Sequence, residues 1–299
     1  MKNELFLPQL CFGGIPAQHA TFESSSVVIL PVPYDATVEW HSGTREGPRS
    51  IINASQYLEL YDIEMDREFY STGIHTLPEV EPTMNSPEQM IDRVHHIATN
   101  LLESNKFIVM LGGEHSLTVG MVRAMAKRFQ DISVLQLDAH ADLRDEYLGT
   151  KYSHACVMRR VAELCPITQV GIRSLSLEEH EFLTQYGKEP FYADGLVLDA
   201  GFWDDLLSSL SSRVYISIDI DVLDPSIMSA VGTPEPGGLG WHQLLSILRT
   251  VASQKKVVGV DLVELCPNEG PSSCVYLAAK LVYKLIGYAA PDKSITACG

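Results

Sequence analysis

The 299-residue sequence lacks the features that mark several large classes of protein. No apolar run approaches the ~18 residues of a membrane-spanning helix. Residues 1–25 carry Lys2 and Glu4 within a broken apolar pattern, so we expect neither a signal peptide nor a membrane span. The G-x-G-x-x-G and Walker patterns are missing, so we expect Gly112-Gly113 to form a tight turn and not a phosphate-binding loop.

Cysteine pairs of the CxxC type are absent as well. The six cysteines stand at positions 11, 156, 165, 266, 274 and 298. In a chain of this length, such scattered cysteines are typical of reduced thiols in an intracellular protein. We therefore predict a cytoplasmic protein without a disulfide framework.

Positive charge is scarce. Lys and Arg number 22 against 38 Asp and Glu, which gives a formal net charge of −16. This balance disfavours nucleic acids and anionic membranes as partners, and it is compatible with a small cationic substrate. The length and an apolar content of 45% are sufficient for a full hydrophobic core. We expect one domain over residues 1–299, with residues 1–24 as an N-terminal arm.

Alternating patterns predict an α/β fold. Short apolar, β-branched runs predict strands at 26–31, 107–111, 132–138, 167–172, 190–193, 213–219 and 256–262, with a weaker one at 70–75. Helical patterns separate most of these runs, which favours a mostly parallel sheet covered on both faces. An eight-stranded βα barrel is the alternative, but the irregular spacing between strands fits an open sheet better.

Three chemically active side chains follow the run at 132–138. Asp138, His140 and Asp142 alternate with alanines, and residues two apart on an extended chain point the same way. Burying two carboxylates and an imidazole without partners is unfavourable. A structural role explains one such residue more readily than three, so the pattern predicts metal ligands.

Two other strand ends carry the same types of side chain. His115 follows the run at 107–111, and Asp219 and Asp221 follow the run at 214–218. In open α/β sheets, ligands bind in the crevice outside the carboxyl ends of the strands. We therefore expect the three segments to meet in one site.

The charge of this set predicts two metal ions. Four aspartates so close together could not all remain ionised unless cations neutralised them. Two divalent ions would balance four negative charges. The ligands are oxygen and nitrogen without sulfur, which suits Mn²⁺, although nickel, cobalt, zinc and iron remain open. Mg²⁺ is less suited because it rarely takes histidine.

Five segments resemble the motifs of the ureohydrolase superfamily, which includes the arginases and agmatinases. They are GGEHS at 112–116, DAHAD at 138–142, SIDIDVLDP at 217–225, GTPEPGGL at 232–239 and DLVELCP at 261–267. The resemblance implies a three-layer α/β/α fold with an eight-stranded sheet, usually assembled as trimers or hexamers. It implies one metal held by His115, Asp138, Asp142 and Asp219, and another held by Asp138, His140, Asp219 and Asp221.

The resemblance also implies catalytic roles. Guanidinium is a poor electrophile, and two metals about 3.5–4 Å apart can lower the pKa of a shared water so that it attacks as hydroxide. Asp142 would orient that nucleophile. His154 matches the proton-shuttling histidine of the superfamily, and Glu264 matches its guanidinium-binding glutamate.

The substrate is predicted from departures within the motifs. Residues 143–147 (LRDEY) and 171–176 (GIRSLS) differ from the arginase pattern and resemble agmatinase. Agmatine has a distal amine and no carboxylate, and the candidates to meet it are Thr233, Glu235, Asp145 and Glu146. The predicted reaction yields putrescine and urea. N1-aminopropylagmatine, guanidinobutyrate, arginine and guanidine remain alternative substrates, and a catalytically silent metal-binding homologue is disfavoured because every motif residue is present.

Other polar residues are interpreted structurally. His95 and His96 are adjacent on a predicted helix and cannot share a face. His41 is expected on a surface loop, although the mouth of the pocket is possible for it. Cys156 is expected to be a packed helix thiol because it has no CxxC partner or neighbouring base.

Overall fold

The computed structural model describes residues 10–290. Residues 1–9 and 291–299, which include Cys298, lie outside this description. The helices are α1 Gly47–Ser55, α2 Pro87–Glu103, α3 Thr118–Arg128, α4 Val157–Ala162, α5 Leu177–Tyr186, α6 Ala200–Ser209, α7 Trp241–Gln254 and α8 Ser272–Ala289. The strands are β1 Val27–Val32, β2 Tyr61–Asp62, β3 Arg67–Glu68, β4 Ile74–Thr76, β5 Phe107–Gly112, β6 Ile132–Leu137, β7 Ile167–Ile172, β8 Phe191–Tyr192, β9 Arg213–Asp219 and β10 Lys256–Val263.

Eight of the strands form a parallel sheet in the order β4-β1-β5-β10-β9-β6-β7-β8. β1, β5, β6 and β7 are buried along their whole length, as expected for strands covered on both faces. The prediction of an open parallel sheet is confirmed. The barrel alternative is wrong, because β4 and β8 form the two edges of the sheet and do not pair with each other in the described chain.

Two hydrophobic layers flank the sheet. Alternate residues of β1 enter different layers, with Ile29 on one face and Leu30 on the other. One layer contains apolar side chains of α1, α6, α7 and α8, and the other contains those of α2, α3, α4 and α5. The three-layer α/β/α architecture is therefore confirmed.

Short elements depart most from the sequence predictions. The helix expected to reach residue 59 ends at Ser55. The weak strand predicted at 70–75 is a 3₁₀ turn at Phe69–Thr72 followed by β4. The β2–β3 hairpin was missed because two-residue strands have no periodicity, and this one is fixed by distant contacts. Its Asp62 carboxylate lies 2.8 Å from the ammonium of Lys284 on α8.

The described part of the predicted N-terminal arm packs on the domain. Phe12 is fully buried in the layer that contains α1 and α8. Its backbone N–H donates to the Thr76 hydroxyl at 2.9 Å, and the N–H of Gly13 donates to the Ser55 hydroxyl at 2.8 Å. Residues 10–24 thus cover one edge of the sheet.

A partly exposed ionic network joins the β2–β3 hairpin to the body of the domain, and it gives a first testable prediction. The Glu64 carboxylate accepts hydrogen bonds of 2.6 Å from Lys284, Tyr288 and Arg249. Burial alone would raise the pKa of Glu64, but these donors outweigh it and lower the pKa to about 2. Because solvent screens the exposed part of this network, we expect Glu64→Gln to lower the free energy of unfolding by only about 1 kcal/mol at neutral pH.

The pH dependence of that effect has a definite sign. Because the folded pKa of Glu64 lies below the ordinary value of 4.5, its stabilisation is complete above that value and is lost as pH falls towards about 2. Denaturant unfolding curves of the two proteins should therefore converge in acid. A stability difference that stays constant across this range would contradict the role assigned to Glu64.

No helix within residues 10–290 is long and apolar enough to cross a membrane.

Candidate active site

Side chains from four neighbouring strands converge at the carboxyl edge of the sheet. β5, β10, β9 and β6 are adjacent in that order and form its centre. The residues that follow them are His115 after β5, Glu264 after β10, Asp219 and Asp221 at and after β9, and Asp138, His140 and Asp142 after β6. The chain passes from β5 through α3 to β6 and so crosses from one half of the sheet to the other. Ligand crevices form at such switch points in open α/β folds.

His115 faces three carboxylates. Its Nδ1 lies 3.1 Å from Asp138 Oδ2, 3.0 Å from Asp142 Oδ2 and 3.5 Å from Asp219 Oδ2. This buried nitrogen makes no well-aligned hydrogen bond within the described chain. A buried imidazole nitrogen directed into a group of carboxylate oxygens is the arrangement that a divalent cation would satisfy.

A second group shares Asp138 with the first. His140 Nδ1 lies 2.9 Å from Asp221 Oδ2 and 3.7 Å from Asp138 Oδ1. Ligand atoms of His115, Asp138 and Asp219 lie within 4.8 Å of one another, and so do those of Asp138, His140 and Asp221. The position of Asp138 in both groups fits a bridging carboxylate, and the donor set fits two cations.

Like charges perturb this site. Burial, and then the charges of Asp142 and Asp221, raise the pKa of Asp138 to about 7. Burial, and then the charges of Asp221 and Asp138, raise the pKa of Asp219 well above its usual value. Burial would lower the pKa of His140, but Asp221 and Asp138 raise it to about 11. Without cations, some of these buried carboxylates would have to be protonated. Divalent cations would neutralise their negative charge instead.

Polar residues inside the strands hold the ligands in place. His115 Nε2 lies 2.9 Å from the Ser217 hydroxyl, which donates to Asp261 Oδ1 at 2.7 Å. Asp261 is fully buried and also accepts hydrogen bonds from the Thr118 and Tyr215 hydroxyls at 2.8 and 2.6 Å. Anchoring the second nitrogen fixes the ring so that Nδ1 faces the carboxylates.

Two site residues have left-handed backbone conformations. Asp142 has φ 55° and Glu264 has φ 64°. This region costs a non-glycine residue about 1 kcal/mol or more, and such strain is concentrated at functional sites. In each case the turn directs a carboxylate back into the crevice. Glu264 Oε1 then accepts the backbone N–H of His115 at 2.6 Å.

His154 lies opposite the ligands on a separate element. Ser153 caps the short 3₁₀ turn His154–Cys156 that precedes α4, as the sequence predicted for a helix start. The Nδ1 atom of His154 lies 3.1 Å from the Thr37 hydroxyl. Burial lowers the pKa of His154, and the charges of Asp142 and Glu39 oppose this only in part. The imidazole is therefore neutral near pH 7.

These side chains line a cavity of about 270 Å³ that opens to solvent. His140, Asp142, His154, Asp219 and Glu264 form its inner wall. Its mouth contains Val38, Glu39, Trp40, His41 and Tyr147. The cavity is thus wide enough for a small molecule, with the acidic and histidine side chains at its base.

Only some of the residues proposed to bind the distal amine line the cavity. Thr233 lines the cavity. Asp145 and Glu235 are not among the described residues that line it. The Asp145 carboxylate forms an ion pair with Arg160. The backbone carbonyl of Glu235 accepts a hydrogen bond of 2.9 Å from the Arg173 guanidinium. His41 lies at the mouth, where its Nδ1 is 3.2 Å from Glu269.

Sequence reasoning missed several pocket residues. Thr37, Glu39 and Glu179 lie in or beside the cavity but belong to no metal-ligand pattern. Glu179 forms a capping box with Ser176 at the start of α5, which is a recognisable sequence signal. Loop residues 37–41 carry no such signal, because only the fold brings them next to His154.

Comparison with known proteins identifies the family. Residues 25–287 match the model of the arginase family. The chain belongs to the arginase family. This assignment confirms the prediction of a hydrolase. Arginase-family enzymes depend on binuclear metal centres, and the structure contains two Asp–His clusters that share Asp138.

Individual arginase-family relatives resemble the chain over most of its length. An N(1)-aminopropylagmatine ureohydrolase from Thermus thermophilus is 40% identical over 267 residues, which cover 89% of this chain and 91% of that protein. An agmatinase from Pyrococcus horikoshii is 35% identical over 275 residues, covering 90% and 93%. The solved agmatine ureohydrolase of Thermoplasma volcanium superposes with a TM-score of 0.84 at 32% identity, covering 95% of each chain.

Proposed function

We propose that the protein hydrolyses the guanidinium group of a cationic guanidinoalkylamine, with agmatine as the first candidate, to give putrescine and urea. The single observation that carries the proposal is the convergence of both Asp–His clusters, Glu264 and His154 on one cavity. The cluster side chains His115, Asp138, His140, Asp142, Asp219 and Asp221 would hold two divalent cations. When bound, the metal pair supplies a water-derived nucleophile near neutral pH.

The chain's own residues divide the remaining work. The buried Glu264 carboxylate binds the planar guanidinium through paired N–H groups and presents its carbon to the nucleophile. Asp142 orients the attacking water through its carboxylate. Neutral His154 accepts a proton from that water at Nε2 and returns it to the leaving nitrogen. A C–O bond forms and the C–N bond to the alkyl chain breaks, so water and substrate become urea and an ammonium.

The Glu39 carboxylate, which lines the cavity together with Arg144, favours substrates with a distal cation. The Tyr147 hydroxyl donates to Glu39, and this pair stands beside the His154 ring at a Tyr147–His154 centroid distance of 6.2 Å. The carboxylate of guanidinobutyrate would meet like charge there. Arginine would bring a carboxylate to the same place, and guanidine has no group to reach it.

N1-aminopropylagmatine is the second candidate. The Thermus thermophilus relative bears that name, whereas the Pyrococcus horikoshii relative is named for agmatine. The cavity opens past Trp40, whose side chain is 73% exposed, so a longer polyamine tail could extend into solvent. The two substrates share the guanidinium end and differ only beyond the mouth.

A panel of guanidino compounds tests the proposed function. Manganese-loaded protein should release urea from agmatine or from N1-aminopropylagmatine, and little from arginine, guanidinobutyrate or guanidine. The ratio of kcat/KM for the first two decides between them. Comparable turnover of arginine would overturn the substrate class, and absence of urea from every compound would overturn the activity.

Glu39 gives a prediction about substrate binding. We expect Glu39→Gln to raise KM for the cationic substrate by roughly three- to fivefold with little change in kcat, because an exposed carboxylate contributes only about 1 kcal/mol. Asp145→Asn is the matched control, since that carboxylate pairs with Arg160 and Lys151. A larger KM effect from Asp145→Asn than from Glu39→Gln would reverse the assignment.

Further parts of the proposal rest on the family resemblance and the composition. We propose Mn²⁺ as the metal, residues 1–299 as a single catalytic domain, a cytoplasmic location and a trimer or hexamer. Metal analysis of the purified protein and its mass in solution test the metal and the assembly directly.

A further inference from the structure

We propose that Thr37 and Glu114 are positioning residues that fix His154 in the tautomer with its proton on Nδ1. The catalytic role given to His154 in this inference rests on the proposed function. The assignment of the tautomer itself rests on hydrogen-bond geometry. Neither residue is a metal ligand in the set described above. Glu114 lies within the motif at 112–116, but the sequence patterns assigned no role to it or to Thr37.

The Thr37 hydroxyl makes three contacts. It donates to Glu114 Oε1 at 2.7 Å, accepts the backbone N–H of His154 at 3.0 Å and lies 3.1 Å from His154 Nδ1. A hydroxyl has one proton and two lone pairs. With its proton on Glu114 and one lone pair on the His154 N–H, it can only accept from Nδ1.

Glu114 determines the direction in which the hydroxyl points. It is fully buried and accepts the backbone N–H of Thr37 at 2.6 Å, together with the Thr37 and Ser116 hydroxyls. Three donors directed at one side chain fit a carboxylate that accepts from all of them. An acceptor on this side obliges Thr37 to donate towards Glu114 and away from His154.

A second neighbour of His154 is consistent with the same tautomer. The Ser153 hydroxyl lies 3.3 Å from Nδ1 and accepts the N–H of Ala155 at 3.4 Å. Both hydroxyls near Nδ1 can accept its proton. The opposite tautomer would place two lone pairs, on Nδ1 and on the Thr37 oxygen, 3.1 Å apart without a proton between them.

The tautomer decides what His154 can do. With Nδ1 protonated, Nε2 carries the lone pair, and the ring lines the cavity. Nε2 can then accept a proton from water, and the resulting imidazolium keeps its Nδ1 proton directed at the Thr37 hydroxyl. The proton taken up at Nε2 is the one passed to the leaving nitrogen, so the balance of the reaction is unchanged.

The test compares Thr37→Val, which removes the hydroxyl, with Thr37→Ser, which keeps it. We expect Thr37→Val to lower kcat by about 10- to 100-fold, the usual effect of removing a partner that fixes a histidine tautomer. KM and the metal content per chain should stay close to wild type. Thr37→Ser should restore most of kcat. Equal defects in the two variants, or wild-type kcat in Thr37→Val, would overturn the inference.

A spectroscopic measurement separates the inference from the proposed activity. ¹⁵N resonances of histidine-labelled full-length protein, loaded with diamagnetic zinc and assigned with His154→Gln, report the tautomer directly. We expect a protonated Nδ1 in the wild-type protein. A protonated Nε2 would overturn the inference even if the enzyme is active. Absence of urea from every guanidino compound would overturn the proposed function and leave the tautomer result standing.

Discussion

Substitution of Asp138 by alanine is expected to abolish metal loading and to lower urea release by at least about 1,000-fold. Asp138 is fully buried and belongs to both ligand groups, so its loss damages both metal positions at once. It also anchors its own loop, because Oδ1 accepts the N–H of His140 at 2.6 Å and Oδ2 accepts the Gln136 amide at 2.6 Å. Metal analysis after dialysis and a urea assay measure the two effects.

Two further variants serve as controls for Asp138→Ala. Asp138→Asn keeps the shape of the side chain and removes its charge, so it should also lose metal while preserving the fold by circular dichroism. Asp145→Ala removes a carboxylate from the surface beside Arg160 and should leave the metal content unchanged. Retention of two metals per chain in Asp138→Ala would refute the bridging assignment.

Substitution of His154 by alanine is expected to have the second largest effect. We expect kcat to fall by about 10²- to 10⁴-fold, the usual contribution of a general acid–base group, while the metal content stays as in wild type. We expect kcat to change without the metal content because His154 lies on the turn before α4 and outside both ligand groups. Steady-state kinetics and metal analysis on one preparation measure kcat and the metal content per chain.

His41→Ala is the control for the loss of an imidazole from the cavity. His41 lies at the mouth, where it packs edge-on against Trp40 and contacts Glu269. Its loss should leave kcat nearly unchanged. Near-normal kcat in His154→Ala would show that His154 does not transfer the proton. Loss of metal together with loss of kcat would show instead that His154 supports the structure of the metal centre.

Much of the fold could be predicted because its central strands are long and uniformly buried. β5, β6 and β7 were located to within a residue from their apolar runs. The metal-ligand set followed from the same regularity, since parallel strands that end together bring the residues after them to one edge. His115 and Asp221 could therefore be paired in one site from their places along the chain.

Substrate contacts could not be predicted in this way. Asp145 and Glu235 follow the motifs closely and carry the right charge, yet Arg160 and Arg173 hold their loops in other directions. Glu39 lies about a hundred residues earlier in the chain than the Tyr147 hydroxyl that it contacts. Such contacts depend on the paths of loops, which have no periodicity from which to infer them.

Polar residues within apolar strands were a signal that sequence reasoning left unused. Ser217 in β9 and Asp261 in β10 are register partners across the sheet, and both are fully buried. A buried aspartate in a central strand requires partners, and here it has three hydroxyl donors on two elements, α3 and β9. The unusual residue indicates a network, but only the strand order shows that the network ends at His115.

The order of the central strands determines when the metal-ligand set becomes complete during synthesis. His115 and Asp138 leave the ribosome well before Asp219, and β9 and β10 must then insert between β5 and β6. These pairings join distant parts of the chain and are slow to form. If these residues bind metal as proposed, we expect a nascent chain to hold it only weakly until its last strands dock. Tight binding to the native state would then link the cellular metal supply to the lifetime of the folded protein.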